Sequence, residues 1–293
     1  MLLLYQMLAI VIWSSSFVAA KYAYEMLDAA LMVQARFVIA ALIVLPTCRR
    51  HLGKIPKNQW KNLIFLSFIN YVLVLMLQFM GVKYTSAASA TTIVGLEPIL
   101  MVLLGHFFFG DKAKWWDWLC GTIAFMGVGL LVWGGHGEGG SVDLFGCVLV
   151  LLAGLFFCAA YRPTQKLIAE IGAPAYTSVS LVLAAILCVP FSLGLAENLS
   201  VNWQAKGVFS LLYLGVGCSW FAYWLWNKGM SGAQANVSGL LIALEPVFGV
   251  ILAMLLLGER LSLVSGVGMV LIIGATLSMA ILHQRGTKSA SEK

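Results

Sequence analysis

The chain has 293 residues, of which 61% are hydrophobic and only 10% charged, against about 25% charged in a typical soluble domain. So little charge cannot coat a soluble particle of this size, and the apolar excess must face lipid. The net charge of +6 would suit nucleic acid. The basic residues, however, sit in short connectors between apolar runs, which is a membrane-topology pattern and excludes a nucleic-acid partner.

A helix crossing a hydrocarbon core of about 30 Å needs about 20 mostly apolar residues. Ten such runs follow one another, at roughly 3–22, 30–46, 62–80, 87–109, 115–133, 144–161, 175–194, 207–226, 234–257 and 262–282. Lipid offers the backbone no hydrogen-bond partners, so each run is expected to be helical. Stretches such as Val247 to Gly258 do not alternate as barrel strands would. The first run opens without a basic leader and reads as a retained span, not a signal peptide. The six cysteines (Cys48, Cys120, Cys147, Cys158, Cys188 and Cys218) form no CxxC pair. They read as small buried hydrophobes, so no disulfide, metal or cofactor is expected.

With the N-terminus inside, the connectors on that side and the tail carry 13 basic residues: Arg49, Arg50, Lys54, Lys57, Lys61, Lys112, Lys114, Arg162, Lys166, Lys228, Arg285, Lys288 and Lys293. The other side carries four, Lys21, Lys83, Lys206 and Arg260. The positive-inside rule then puts both termini in the cytoplasm of a cell whose inner membrane the chain spans many times; a bacterial inner membrane is expected.

The fourth and ninth runs repeat each other. Gly95-Leu96-Glu97-Pro98 matches Ala243-Leu244-Glu245-Pro246, and Gly110-Asp111-Lys112 matches Gly258-Glu259-Arg260 at the same offset, with Ala87 and Ala235 upstream. A repeat of five spans inverts the second copy relative to the first, the plan by which carriers build two alternating gates around a site at the midplane. The expected organisation is a first repeat over 1–133, a linker over 134–143, a second repeat over 144–282 and a cytoplasmic tail over 283–293. The linker is rich in glycine but lacks the Lys-Ser/Thr ending of a phosphate loop.

Taken with Leu8-Ala9-Ile10-Val11-Ile12-Trp13-Ser14-Ser15-Ser16-Phe17, Arg36-Phe37, Tyr84-Thr85-Ser86-Ala87 and the closing Gly258-Glu259-Arg260-Leu261, these segments resemble the EamA family of the drug/metabolite transporter superfamily. The resemblance covers nearly the whole chain. It implies an all-α membrane protein of ten transmembrane helices around a central cavity, exporting amino acids or related metabolites. Asp111-Lys112 stands where the family more often has Glu-Arg.

Candidate site residues follow from membrane depth. Glu97 and Glu245 are ionisable groups inside apolar spans, each followed by a helix-kinking proline, Pro98 and Pro246. Each glutamate is either a coupling or gating carboxylate or a locally bonded part of a kink. Arg36 could hold a substrate carboxylate with its fork, or pair with Asp28 or Glu25 near the interface. Trp13 and Phe17 share a face of span 1, and Trp220, Tyr223 and Trp224 form a stripe on span 8. These aromatics suit a wall for an apolar side chain or an ammonium group, although aromatics also anchor interfaces, as Trp115, Trp116 and Trp118 are expected to do. Tyr71 and Gln78 on span 3 are further polar candidates. His106, alone on its helix, is expected to be packed, not to relay protons. The expected partners are a small-molecule substrate, lipid and a coupling proton if transport is driven, and the chain acts as monomer or homodimer. A channel or uniporter is the alternative. A membrane enzyme ranks lower, because no HExxH or GxSxG motif occurs.

Overall fold

The computed structural model describes residues 2–134, 143–231, 241–260 and 262–291, with side chains up to 282. No strand occurs among the described residues. Among the described residues, eight helices are long and apolar enough to cross a membrane: Leu3–Tyr24, Ala29–Leu52, Lys57–Tyr84, Ala87–Phe108, Trp115–Gly134, Leu144–Ile171, Ala205–Met230 and Leu263–Leu282. Ala173–Leu187 and Val189–Leu195, bent by 40°, make a ninth. The remaining expected span is represented by Glu245–Leu257, since 232–240 lie outside the described residues. We number these spans 1 to 10 in chain order.

Local chemistry sets the helix ends. Asp28, Ser86 and Asp143 cap spans 2, 4 and 6, their side-chain oxygens accepting from the backbone N–H groups of Ala30, Ser89 and Phe145, groups that would otherwise lack partners. Gly110, Gly172 and Gly258 take positive φ angles of 73°, 85° and 67° at helix ends, a conformation that side chains with a Cβ resist. All six cysteines are buried and free.

The internal repeat appears in the backbone itself. Spans 4 and 9 both break into a turn, at 95–96 and 243–244, and a new helix begins at Glu97 and at Glu245 with the proline in its first turn. The expected kinked span is therefore a broken one. Proline has no N–H to lose in a first turn, so it starts a helix more readily than it bends one. Spans 3 and 8 both contain π-helix, at Phe68–Leu73 and Tyr213–Phe221. Shifting the first of these by 148, the separation of Glu97 and Glu245, lands on the second half of the other. The two breaks also touch: a Cβ on Gly95 would lie 2.7 Å from Pro246 Cγ.

Small residues bring other spans together. A Cβ on Gly81 would lie 2.7 Å from the Gly146 carbonyl oxygen, and one on Gly127 2.7 Å from that of Gly268. These glycines let backbones approach closely, as small residues do between helices in lipid. The linker glycines 135–140, Ala235 and Leu261 lie outside the described residues.

Candidate functional site

The two broken spans meet at a chamber of about 50 Å³ at the middle of the bundle. Its wall includes Trp13, Ser16 and Phe17 of span 1, Arg36 of span 2 and Gln78 and Phe79 of span 3, with Glu97, Phe157, Tyr223 and Glu245 closing it. Six of the eight expected substrate-binding positions thus bear on one place: Trp13, Phe17, Arg36, Gln78 and Tyr223 directly, and Tyr71 from behind. Ordinary ligand sites are larger, roughly 300–1,000 Å³, so the chamber in this arrangement is smaller than a ligand of ordinary size.

Arg36 is 1% exposed. Its Nε donates to Ser219 Oγ at 2.6 Å, and its guanidinium lies 4.7 Å from the Phe79 ring centroid. Its second terminal branch, Nη1, is buried without a hydrogen-bond partner. The interface reading of Arg36 is overturned: Asp28 is taken by Lys83 at 3.4 Å, and Lys83 also reaches Glu197 at 2.7 Å. No carboxylate lies within 4.0 Å of Arg36 among the described residues.

Glu97 and Glu245 are each 6% exposed and both face the chamber. A carboxylate at the first turn of a helix is held by the partial positive charge of the helix N-terminus. The discontinuous span therefore gives each glutamate a helix dipole to sit on. Cys158 Sγ donates to the Glu97 carbonyl oxygen at 3.3 Å and ties that turn to span 6.

The aromatic wall is built across spans. Trp13 Nε1 donates to the Cys218 carbonyl oxygen at 3.0 Å, inside the π-helical stretch of span 8, where the wider turn re-aims backbone carbonyls. Its ring lies 4.9 Å from Tyr223 and 5.4 Å from Trp226, and Phe17 lies 5.7 Å from Phe79. Tyr71 stands one layer back, its ring 4.6 Å from Tyr223 and its hydroxyl accepting from Asn227 Nδ2 at 3.2 Å.

Trp220 and Trp224 do not line the chamber. Trp224 packs on Tyr5 and Phe221 beneath Lys228, and Trp220 packs on Phe221. Adjacent helical residues point about 100° apart, so only one of Tyr223 and Trp224 can face a narrow space. Trp226, three positions after Tyr223, packs against Trp13 and Phe157 and does not line the chamber. Sequence reasoning missed Ser16, Phe79, Phe157 and Ser219. Phe79 directly follows Gln78 in sequence. His106 holds the connector after span 4, its Nδ1 lying 3.0 Å from the Asp111 carbonyl oxygen and 3.3 Å from the Ala113 N–H nitrogen. Trp115 and Trp118 are exposed at the start of span 5.

Inverted five-span repeats that meet at broken helices around a buried, mixed-charge chamber define a polytopic membrane carrier. The model of the EamA-like transporter family matches residues 1–133 and again 144–281, and the chain belongs to that family. It is 51% identical over 142 residues to an uncharacterized transporter of Haemophilus influenzae, covering 48% of this chain and 84% of that protein. It is 27% identical over 282 residues to an uncharacterized transporter of Archaeoglobus fulgidus, covering 94% and 96%. The YwfM transporter of Bacillus subtilis, also uncharacterized, is 28% identical over 240 residues, covering 80% and 79%. A solved structure described only as the crystal structure of a protein superposes with a TM-score of 0.66 at 18% identity, covering 97% and 98%, and shares the fold. The protein is a multi-pass membrane transporter.

Proposed function

We propose that the chain exports amino acids, or close relatives carrying both a carboxylate and an amine, by alternating access at the central chamber, with protons exchanged at Glu97 and Glu245. The observation that carries this reading is the incomplete coordination of Arg36. A guanidinium at membrane depth is costly unless paired, and its Nη1 has no partner while two carboxyls share the chamber. A substrate carboxylate completes the Arg36 fork. A substrate ammonium is met by the glutamates and by the faces of Trp13 and Tyr223. When the ammonium leaves, the glutamates take up protons from the water on the release side, which links flux to a pH gradient. The bilayer is taken as a bacterial inner membrane with both termini cytoplasmic, following the 13-to-4 distribution of basic residues.

The test is a thermal-shift screen of the purified protein against amino acids and amines, followed by flux of each hit in proteoliposomes with and without a pH gradient. Saturable counterflow that responds to the gradient is the expected result. Stabilisation only by sugars, nucleosides or other uncharged solutes would overturn the substrate class, and conductance at channel rates would overturn the carrier.

A further inference from the structure

We propose that a second cavity, on the face that carries the N-terminal end of the chain, is an ante-chamber that admits small organic anions and disfavours organic cations. It encloses about 380 Å³ beneath the connector after span 4, walled by Pro98, Met101 and Leu104 of span 4, Cys158 of span 6 and Met279 of span 10. The central chamber uses none of this space.

Position is the first argument. Pro98 forms the wall of this cavity while Glu97, its neighbour, lines the central chamber, so consecutive residues of one helical turn face the two spaces. Cys158, on the same wall, holds that turn through the Glu97 carbonyl.

Asymmetry is the second. The equivalent stretch of span 9, Pro246 onward, is packed shut against span 4: a Cβ on Gly249 would lie 2.1 Å from Thr91 Cγ2. The repeat alone would make the two places alike. Among the described residues, the cavity of about 280 Å³ on the opposite face lies instead between Tyr24, Asp28, Lys83 and Glu197, away from span 9.

Charge is the third. Lys112, Lys114 and Arg162 surround the mouth against a single acid, Asp111. Asp111 is engaged by Arg162, whose guanidinium also lies 4.8 Å from the Phe109 ring centroid. Lys114 lies 4.8 Å from the Trp116 ring, and Lys112 makes no ion pair among the described residues. Apolar walls beneath a mouth of one sign focus its field and concentrate the opposite charge. A carboxylate arriving there can replace Asp111 on the Arg162 fork. The fitting ligand is an organic anion with an apolar body. That this cavity feeds the central chamber rests on the transport reading; the charge selectivity does not.

The test places a thiol at the wall (Met101→Cys) and, in a second variant, at the mouth (Ala113→Cys), in the full-length protein in phosphatidylcholine nanodiscs. The probes are the sulfonatoethyl and trimethylammonioethyl methanethiosulfonates, each rate normalised to a free thiol and read by peptide mass spectrometry, which separates the new cysteine from the six native ones. The anionic probe is expected to react about tenfold faster or more, the low end of field focusing at a charged cleft. Adding Arg162→Gln should bring the ratio towards one, and Asp111→Asn should raise it. Equal rates, or a ratio that neither change moves, would overturn the proposal. Including phosphatidylglycerol should leave the rates unchanged; strong protection by that lipid would mean the mouth holds a headgroup and would also overturn it. A failed flux assay leaves this ratio intact, so the two readings fail separately.

Discussion

The two Gly-acid-base turns share a sequence pattern and a backbone closure, Asp111 N–H to the Gly105 carbonyl and Glu259 N–H to that of Ala253, and differ in where the acid side chain goes. After span 9, both oxygens of Glu259 accept from the start of span 4, the backbone N–H groups of Ala87 and Ala88, at 2.8 and 3.0 Å. After span 4, Asp111 turns aside to Arg162 on span 6. On the Glu259 face, Lys21 donates to the Thr85 carbonyl, Tyr22 donates to the Leu256 carbonyl and Lys83 bridges Asp28 and Glu197. On the Asp111 face lies the 380 Å³ cavity, while the Glu259 face holds one of about 280 Å³ between Asp28, Lys83 and Glu197. The difference teaches that a repeated motif need not make a repeated contact: one acid latches the start of span 4, and its counterpart pairs with an arginine on span 6.

The latched face breaks most completely at its tightest contact. Gly249→Leu places a branched side chain where even a Cβ lies 2.1 Å from Thr91, and overpacking of this kind costs about 3 kcal/mol or more. Loss of the folded, monodisperse protein on size exclusion is expected; a normally folded variant would mean that spans 4 and 9 are not in contact.

Glu97→Gln comes next. It keeps the shape of the first turn of the second half of span 4 but removes its charge and proton, so flux should fall by about tenfold or more with the melting temperature little changed. Comparison with Glu245→Gln then sharpens the contrast between the repeats: equal losses mean that both copies carry the coupling, and unequal losses rank them.

Glu259→Gln removes a charged cap, worth about 1 kcal/mol. It should loosen the closed face, seen as faster hydrogen exchange at 85–90 and faster modification of Lys21. Unchanged exchange would show that the latch does not hold that face.

The smallest effect concerns Glu197, which lies outside the spans. The hydrogen bond from Lys83, followed by its charge, holds the Glu197 carboxyl below the usual range. A depressed carboxyl stabilises the fold above its unfolded pKa of about 4.3 and loses that contribution as pH falls through the folded value. The melting-temperature gap between wild type and Glu197→Gln should therefore be slight near neutrality, because the pair is exposed, and should close on acidification through that range. A gap that widens in acid would contradict the assignment.

Much of the fold was legible because lipid demands long apolar runs and leaves the backbone only one way to satisfy itself. The expected starts at 87, 115 and 144 match Ala87, Trp115 and Leu144. Ends were less legible: span 6 runs on to Ile171, ten residues past its expected end, since polar residues do not stop a helix that has left the membrane. In the site, Trp13, Phe17, Arg36 and the two glutamates could be found from chemistry and depth alone. Trp220 and Trp224 could not be placed, because one residue's rotation decides which aromatic faces inward and a π-helical stretch announces itself by no residue type. The partners of Arg36, Ser219 and Phe79, come from spans 8 and 3, and proximity across 183 positions of chain leaves no mark in local sequence.

The central claim is that cargo binds where Arg36 lacks a partner. Counterflow of a radiolabelled amino acid, chosen from the thermal-shift hits, into proteoliposomes of wild type and of Arg36→Gln tests it most directly. Saturable exchange by wild type and none by a folded Arg36→Gln protein is the predicted result. Exchange by Arg36→Gln at the wild-type rate and KM would contradict it.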